Sequence, residues 1–180
     1  GGLDSELLSP KEAMEFMPLM DPDQFVGALY DPVEGHLDPY GTTHAYAKSA
    51  KKNGAEIYLH TKVEDLVQRE DGSWRVITNQ GEIIAEHIVN CAGLWAREVG
   101  RMIGLELPVL AMEHMYLITE DMPEVADFNA RSGREIVHCV DFDGEIYVRQ
   151  ERGGMLMGTY EKDCRPWSPL TTPWDFGHEL

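Results

Sequence analysis

The sequence predicts an α/β (α+β) chain, in which part of a doubly wound helix-and-strand domain is joined to an antiparallel sheet. Two observations lead to this prediction. A helix pattern over residues 39–52 is followed directly by the apolar strand pattern AEIYLH. Further along the chain, strand patterns follow one another with only short glycine-containing turns between them. The first succession is typical of doubly wound domains and the second of antiparallel meanders.

Composition and charge narrow the class of protein. The 180 residues are 43% apolar, which is enough for a sizeable core, and they carry 15 basic against 32 acidic side chains. The formal net charge of -17 disfavours binding to nucleic acid or to anionic lipid. The sequence has neither a long apolar run nor a signal-peptide pattern, so we expect no membrane insertion. The three cysteines match no metal-binding spacing and indicate reduced thiols, in a cytoplasmic or mitochondrial-matrix compartment.

The first half of the chain has two helices with recognisable boundaries. S-P-K-E at positions 9–12 is a capping box, which predicts a helix from Pro10 to Met17. A second helix is expected to begin at Asp38-Pro39 and to end at Asn53-Gly54. We therefore assign residues 1–30 to a connecting helix region and residues 31–104 to the doubly wound part.

Three strand segments, 63–68, 74–78 and 82–90, are separated by turn sequences, which predicts two hairpins. The third segment continues through the small residues Cys91-Ala92-Gly93 into a helix from Trp95 to Ile103. Gly104 closes that helix, and we place the domain change there.

The remaining segments predict the antiparallel part. VLAMEHMYLIT alternates over residues 109–119, and REIVHCVD, EIYVRQE and MLMGTYE read as a meander. Residues 105–166 are thus assigned to an antiparallel sheet and residues 167–180 to a truncated terminal segment. Because the first and last residues look cut, we expect the sequence to be a piece of a longer protein.

The turn at Cys91-Ala92-Gly93 is one candidate site. Small side chains between a strand and a helix let backbone N–H groups approach a ligand closely, and a helix start favours a diphosphate. The alternative is a tight turn that only lets the strand and the helix pack. No GxGxxG motif occurs, so the motifs alone do not establish dinucleotide binding.

His114 and Tyr116 are a second candidate site. They are two apart in an alternating strand, so both are expected on the face that also carries Leu110, Met112 and Ile118. A histidine and a phenol there can orient a substrate and set the protonation state of an amine. The alternative is a hydrogen-bonded core histidine and a tyrosine at the sheet edge.

Other chemistries find less support. Arg149 can clamp a carboxylate, but pairing with Glu145 or Glu151 on the same face is the favoured interpretation. His36 and His60 lack partners at metal-ligand spacing, and residues 141–144 read as a turn, so no metal is predicted. The absence of a Gly-x-Ser-x-Gly motif excludes most hydrolases.

Four stretches, in this order, carry a resemblance to a known family: EGHLDPYGTTHAYAKSAKKNGAEIYLHTKVEDL, IVNCAGLWAREVGRMIGLELPVLAMEHMYLIT, YVRQERGGMLMGTYE and WDFGHEL. Together they look like the middle of the dimethylglycine and sarcosine dehydrogenases, which are D-amino-acid-oxidase-like flavoproteins. The resemblance implies FAD as cofactor, with Ala92 and Gly93 against it, Trp95 packed nearby and the main chain of Val63 contacting the adenine. It also implies that the strand holding His114 and Tyr116 faces the flavin and the substrate amine.

The reaction that this resemblance implies is oxidation of an N-methyl amine, a CH–NH oxidation in which hydride passes to the flavin and the iminium product to water or tetrahydrofolate. The glycine-rich diphosphate loop, the histidine that can carry FAD covalently and the folate-binding region of such enzymes would lie outside this sequence. We therefore expect the isolated chain to be inactive, and the electron acceptor stays open. Two alternatives remain: a flavoenzyme that oxidises a D-amino acid or glycerol 3-phosphate, and a non-catalytic module of the same fold.

Overall fold

The computed structural model describes residues 4–175, which form two compact units. One unit consists of residues 4–39 and 114–164, and the other of residues 40–113 and 165–175. The elements, in chain order, are β1 (Glu6–Leu8), α1 (Pro10–Ala13), β2 (Ala28–Tyr30), α2 (Pro39–Lys52), β3 (Val63–Gln68), β4 (Trp74–Thr78), β5 (Gly81–Ala85), α3 (Ala96–Arg101), β6 (Tyr116–Ile118), α4 (Pro123–Ser132), β7 (Cys139–Asp141), β8 (Ile146–Glu151) and β9 (Gly154–Thr159). Short 3-10 turns lie at Pro22–Gln24 and Gly93–Trp95.

The first unit is built around a four-stranded antiparallel sheet in the order β6-β9-β8-β7, with β1 and β2 forming a separate pair. One face of the sheet is covered, because its apolar side chains pack with those of α4 and of the segment after α1. The core of this unit consists of Met17, Val125, Phe128, Ile136 and Met155. Cys139 and Val148, a cross-strand pair of β7 and β8, pack against this core.

The opposite face of the sheet carries aromatic side chains. Tyr147 pairs with Gly158 and with Val140, and Gly158 also pairs with Tyr116, so these four residues form one row across the strands. Tyr116 is 63% exposed. This face therefore offers ring surfaces that the core does not use.

The second unit contains α2, the antiparallel meander β3-β4-β5 and the short helix α3. Leu66 and Thr78 are buried in the meander. The two hairpins predicted from the turn sequences are both present, with Val76 of β4 opposite Leu66 on one side and Ile83 on the other.

The prediction of a mixed helix and antiparallel-sheet chain is confirmed, and several of its elements hold in detail. The capping box is formed, since the Ser9 hydroxyl and the Glu12 carboxylate each accept from the other's backbone N–H. The helix that follows ends at Ala13 rather than Met17. α2 begins at Pro39 and ends beside Asn53, as expected.

One predicted strand is absent, and two are shorter than expected. The segment AEIYLH at 55–60 and residues 88–90 have no ladder partner among the described residues, and the stretch 109–119 forms a strand only at Tyr116–Ile118. A strand exists only through the neighbours that satisfy its backbone groups, and sequence patterns do not supply them. Every strand pair within residues 4–175 is antiparallel. The pair β1–β2 and the helix α4 were not predicted.

Candidate functional site

The turn at residues 91–95 leaves its backbone accessible. Cys91 and Gly93 are exposed, and Gly93 has a φ of 51°, a left-handed conformation that glycine adopts without strain. The Asn90 side chain holds the turn through two hydrogen bonds. Its oxygen accepts from the Ala92 N–H at 3.2 Å, and its amide donates to the Ala96 carbonyl at 2.9 Å. The turn is therefore open yet held in one conformation.

This geometry fits close approach of a flat ligand to the main chain. A Cβ atom at Gly93 would have no other atom within 4 Å, so the space beside the glycine is empty. The N-terminus of α3 favours a diphosphate less than expected. The helix has only six residues and follows a 3-10 turn, so its dipole is small. Access to the backbone is thus the property that a cofactor would use here.

The other two residues predicted to lie at a cofactor belong to the same unit. Val63 is half-buried at the start of β3, where it pairs with Thr78. Trp95 is half-buried at the end of the 3-10 turn, and its indole N–H donates to the Pro173 carbonyl at 2.7 Å. Both side chains are therefore fixed by the unit that contains Gly93.

His114 and Tyr116 lie in surroundings that differ from the expectation. They are not on one continuous strand, because β6 begins only at Tyr116. Leu110 and Met112, expected on the same face, belong to the other unit and are each 43% exposed. The buried apolar face that the alternation predicted is absent from this stretch, and Ile118 is also exposed.

The structure instead places His114 in a row of aromatic rings. Its imidazole stacks on Tyr160 with ring centroids 5.5 Å apart, Tyr160 contacts Tyr147 at 5.1 Å, and Tyr147 meets the edge of His138 at 6.0 Å. We call His114, Tyr160, Tyr147 and His138 the aromatic row. Tyr160, Tyr147 and His138 were not predicted as site residues.

A sequence signal for part of this row was available. Only Arg152 and Gly153 lie between the paired residues Glu151 and Gly154, so the hairpin register follows from the loop length. Counting back along both strands brings Tyr147 opposite Gly158, as observed. The contacts of His114 and His138 with this tyrosine pair depend on segments outside the hairpin and had no such signal.

Charged groups surround both ends of the aromatic row. His114 Nδ1 lies 3.7 Å from a carboxylate oxygen of Glu161, and the Thr159 hydroxyl donates to the same carboxylate at 2.6 Å. The Thr159 hydrogen bond, with a smaller contribution from His114, lowers the pKa of Glu161. The carboxylate is thus kept charged beside the imidazole.

At the other end, partial desolvation lowers the pKa of His138, and the positive charges of His36 and Arg149 act in the same direction. Glu34 opposes them. Arg149 itself forms an ion pair with Glu151 at 2.7 Å, which confirms the structural interpretation of this arginine.

A cavity of about 450 Å³ opens next to the row at the β7–β8 turn. Its lining includes Tyr160, which it shares with the row, and the apolar side chains of Val140 and Phe142. Glu145 and Lys162 form an ion pair at 2.5 Å in its wall. The Asp141 carboxylate accepts from the N–H groups of residues 143 and 144, so residues 141–144 form the predicted turn.

Residues 4–175 lack two further features. No group of three or more His, Cys, Asp or Glu side chains there is arranged to hold a metal ion. Among the same residues, no helix has the length and hydrophobicity needed to cross a membrane.

An open backbone turn in one unit and a partly exposed row of aromatic rings in the other are compatible with a flavin-dependent oxidoreductase. Residues 1–180 match the DAO family of FAD-dependent oxidoreductases, and the chain belongs to that family. FAD is therefore its cofactor, while a role for tetrahydrofolate stays a prediction.

Its relatives include the mitochondrial dimethylglycine dehydrogenase of Rattus norvegicus, which is 40% identical over 97% of this chain. The mitochondrial sarcosine dehydrogenase of Mus musculus is 34% identical over 98% of the chain. A mitochondrial pyruvate dehydrogenase phosphatase regulatory subunit of Mus musculus is 35% identical over 92%. The chain spans 20%, 19% and 18% of these three proteins, respectively.

The solved structures include a similar fold. The crystal structure of L-proline dehydrogenase from P. horikoshii matches with a TM-score of 0.77 and 27% identity. The match covers 97% of this chain and 46% of that one. The resemblance to the dimethylglycine and sarcosine dehydrogenase family, inferred from the sequence, is confirmed.

Proposed function

We propose that this chain is part of an FAD-dependent dehydrogenase that oxidises an N-methyl group of a glycine derivative, dimethylglycine or sarcosine. The observation that carries the proposal is the 40% identity, over 97% of the chain, with a dimethylglycine dehydrogenase. The mitochondrial names of the relatives support a mitochondrial location if the source is eukaryotic. The electron acceptor is not part of the proposal.

The cofactor site in this proposal lies in the second unit. The accessible backbone at Ala92 and Gly93 lies along the cofactor, Trp95 packs beside it, and the main chain of Val63 contacts its adenine. FAD supplies the acceptor for the hydride that leaves the methyl carbon. In domain terms, residues 31–104 belong to the cofactor part and residues 105–166 to the substrate sheet.

The substrate site in this proposal lies on the open face of the sheet in the first unit. His114 and Tyr116 contact the amine, and Glu161 steadies the His114 imidazole through its charge. The imidazole then takes a proton from the amine, which keeps the nitrogen lone pair available to assist departure of the hydride. The nearby ring surfaces of Tyr147 and Tyr160 fit the methyl groups on the amine nitrogen.

A visible spectrum of the full-length protein tests the proposal. Sarcosine and dimethylglycine are added without oxygen, with unmethylated glycine as the control. We expect one or both methylated amines to bleach the flavin band and glycine to leave it unchanged. A band that neither methylated amine bleaches would contradict the proposed substrates, and bleaching by a D-amino acid or by glycerol 3-phosphate would replace them.

A second candidate function is a regulatory module that keeps the fold without turnover. The 35% identity with a phosphatase regulatory subunit favours it. The same spectrum separates the two candidates, because a full-length protein that is folded but colourless supports the module and contradicts the dehydrogenase.

A further inference from the structure

The short helix α3 contains an arginine that is almost completely buried. Arg97 is 6% exposed, and its guanidinium donates to the carbonyl oxygens of Ser168 at 3.0 Å and Pro169 at 2.9 Å. It also reaches the Thr172 hydroxyl at 3.4 Å and Glu98 at 3.2 Å. A buried charge is tolerated only when it is paired and hydrogen-bonded, and this one is.

Glu98 and Arg101 extend the same contact. One oxygen of Glu98 accepts from the Thr172 N–H at 2.9 Å, and Arg101 donates to the Leu170 carbonyl at 2.7 Å. Burial opposes the charge on Glu98, but the Thr172 N–H and the two guanidinium groups lower its pKa overall. Three charged side chains of one short helix thus hold a segment about 70 residues later in the chain.

The held segment forms neither a helix nor a strand. Residues 168–174 read S-P-L-T-T-P-W, and the two prolines lack N–H groups, which disfavours a helix or a sheet there. The Ser168 hydroxyl donates to the Thr171 carbonyl, and the arginines of α3 donate to the carbonyl oxygens of residues 168–170. We call residues 168–174 the clasped segment.

The clasped segment touches both stretches assigned to the cofactor. The Pro173 carbonyl accepts from the indole of Trp95, which ends the open turn at Gly93. The ring of Trp174 lies under the ammonium of Lys62, 5.0 Å from its centroid, and Lys62 directly precedes Val63. All of these residues belong to the same unit.

We propose that Arg97 is a positioning residue for the FAD site: it holds the clasped segment as a wall of that site, between Trp95 and Lys62. This inference rests on the cofactor residues of the proposed function. An apolar side chain would stabilise a helix contact equally well, because a buried ion pair adds little net stability. A guanidinium, in contrast, fixes several carbonyl groups at once and so selects one conformation of the segment.

The test compares full-length variants by their affinity for FAD, measured by titrating the apoprotein and following flavin fluorescence. Arg97→Lys keeps the charge but loses the forked geometry, and we expect FAD binding to weaken about tenfold or more, in the range typical of residues that orient a binding group. Arg75→Lys is the matched control, because Arg75 is a half-buried arginine of β4 whose guanidinium lies 4.0 Å from Glu82 and makes no contact with the clasped segment among the described residues. We expect it to bind FAD as the parent protein does.

Trp174→Ala separates positioning from stability. Trp174 is 42% exposed, so its removal should lower the melting temperature of the apoprotein less than removal of a fully buried ring would. We expect FAD binding to weaken nonetheless. Because Arg97 acts through the segment that carries this ring, the double variant should bind FAD no more weakly than Arg97→Lys alone.

Two results would overturn the inference. One is an Arg97→Lys protein with a lowered melting temperature and unchanged FAD affinity, which would make the arginine purely structural. The other is unchanged FAD affinity in Trp174→Ala, which decides the matter even if Arg97→Lys does not fold. Neither result depends on bleaching by sarcosine or dimethylglycine, so failure of the proposed substrates is recognised separately.

Discussion

At the scale of single residues, the ends of the aromatic row differ in their electrostatics. The Nδ1 atom of His114 lies 3.7 Å from the carboxylate of Glu161. His138 is partly desolvated and lies near His36 and Arg149, and its pKa is lowered. The row thus has a carboxylate at one end and a partly desolvated imidazole beside an arginine at the other.

His138 makes the stability of the protein depend on pH. Its pKa is lower in the folded chain than the 6.5 of a free histidine, so the unfolded chain takes up a proton first as the pH falls. The contribution of His138 to the free energy of unfolding is therefore fully present above about pH 6.5, and it declines on acidification until the folded-state pKa is passed. The decline is small, because solvent screens the charges around an exposed ring.

We expect His138→Gln to flatten the fall in unfolding free energy between pH 7 and pH 5, measured by urea denaturation. His87→Gln, a change at an exposed histidine, should leave the slope as it is. If the unfolding free energies of His138→Gln and the parent fall in parallel with pH, the lowered pKa of His138 is contradicted.

Replacement of His114 tests its place at the substrate. We expect His114→Ala in the full-length enzyme to lower turnover about 100-fold or more, as loss of a general base does, with little loss of bound flavin. Turnover is measured with the amine that bleaches the flavin, and flavin content by absorbance. An equal loss of flavin and activity would show that the histidine supports the cofactor site instead.

At the scale of elements, the strands β8 and β9 share one close contact between a tyrosine ring and a glycine. The ring of Tyr147 lies against Gly158 on the neighbouring strand, where a Cβ atom would overlap the ring. The glycine thereby sets the orientation of the tyrosine, and through it the spacing of the aromatic row.

Gly158→Ala should destabilise the protein by about 1–3 kcal/mol, the usual cost of overpacking. Adding Tyr147→Ala makes room for the methyl group, so the double variant should be more stable than the sum of the two single changes predicts. Urea denaturation measures all three variants. Gly35→Ala is the control, since nothing lies within 4 Å of a Cβ there. If the losses of unfolding free energy in the two single variants simply add in the double variant, the overlap is excluded.

The predictable elements were those whose ends are marked by capping or turn residues close in sequence. The capping box of α1, the proline start of α2 and the turns between β3, β4 and β5 all act over a few residues, and all were found. The helix α4 was missed because its N-cap is Met122, which makes no side-chain cap, although Pro123 and Gly133 mark its ends. The strand at 55–60 was overpredicted because apolar alternation does not reveal whether a partner strand exists.

At the scale of the whole molecule, each unit is assembled from two separate stretches of the chain. Met17, 2% exposed, enters the core formed by α4 and β9, far away in sequence. Residues 1–30 were expected to form a connecting helix region, and nothing local in their sequence indicates where Met17 packs. The same limit applies to the contact of His114 with Tyr160, which depends on how distant segments meet.

Met17→Ala should therefore cost about 2–5 kcal/mol, as truncations of buried methionines do. The free energy of unfolding by urea measures this loss. Leu19→Ala, at a side chain that is 39% exposed, is the control and should cost far less. Equal losses in the two variants would mean that Met17 is not part of the core.

The packing of Met17 against Met155 also has a consequence for biosynthesis. The two residues are 138 positions apart (155 − 17), and a ribosome adds about 5–20 residues per second. The first stretch must thus wait roughly 7–28 s for its partner, with its apolar side chains uncovered and accessible to chaperones. Slower translation of the intervening residues would lengthen that exposure without changing any contact in the finished protein.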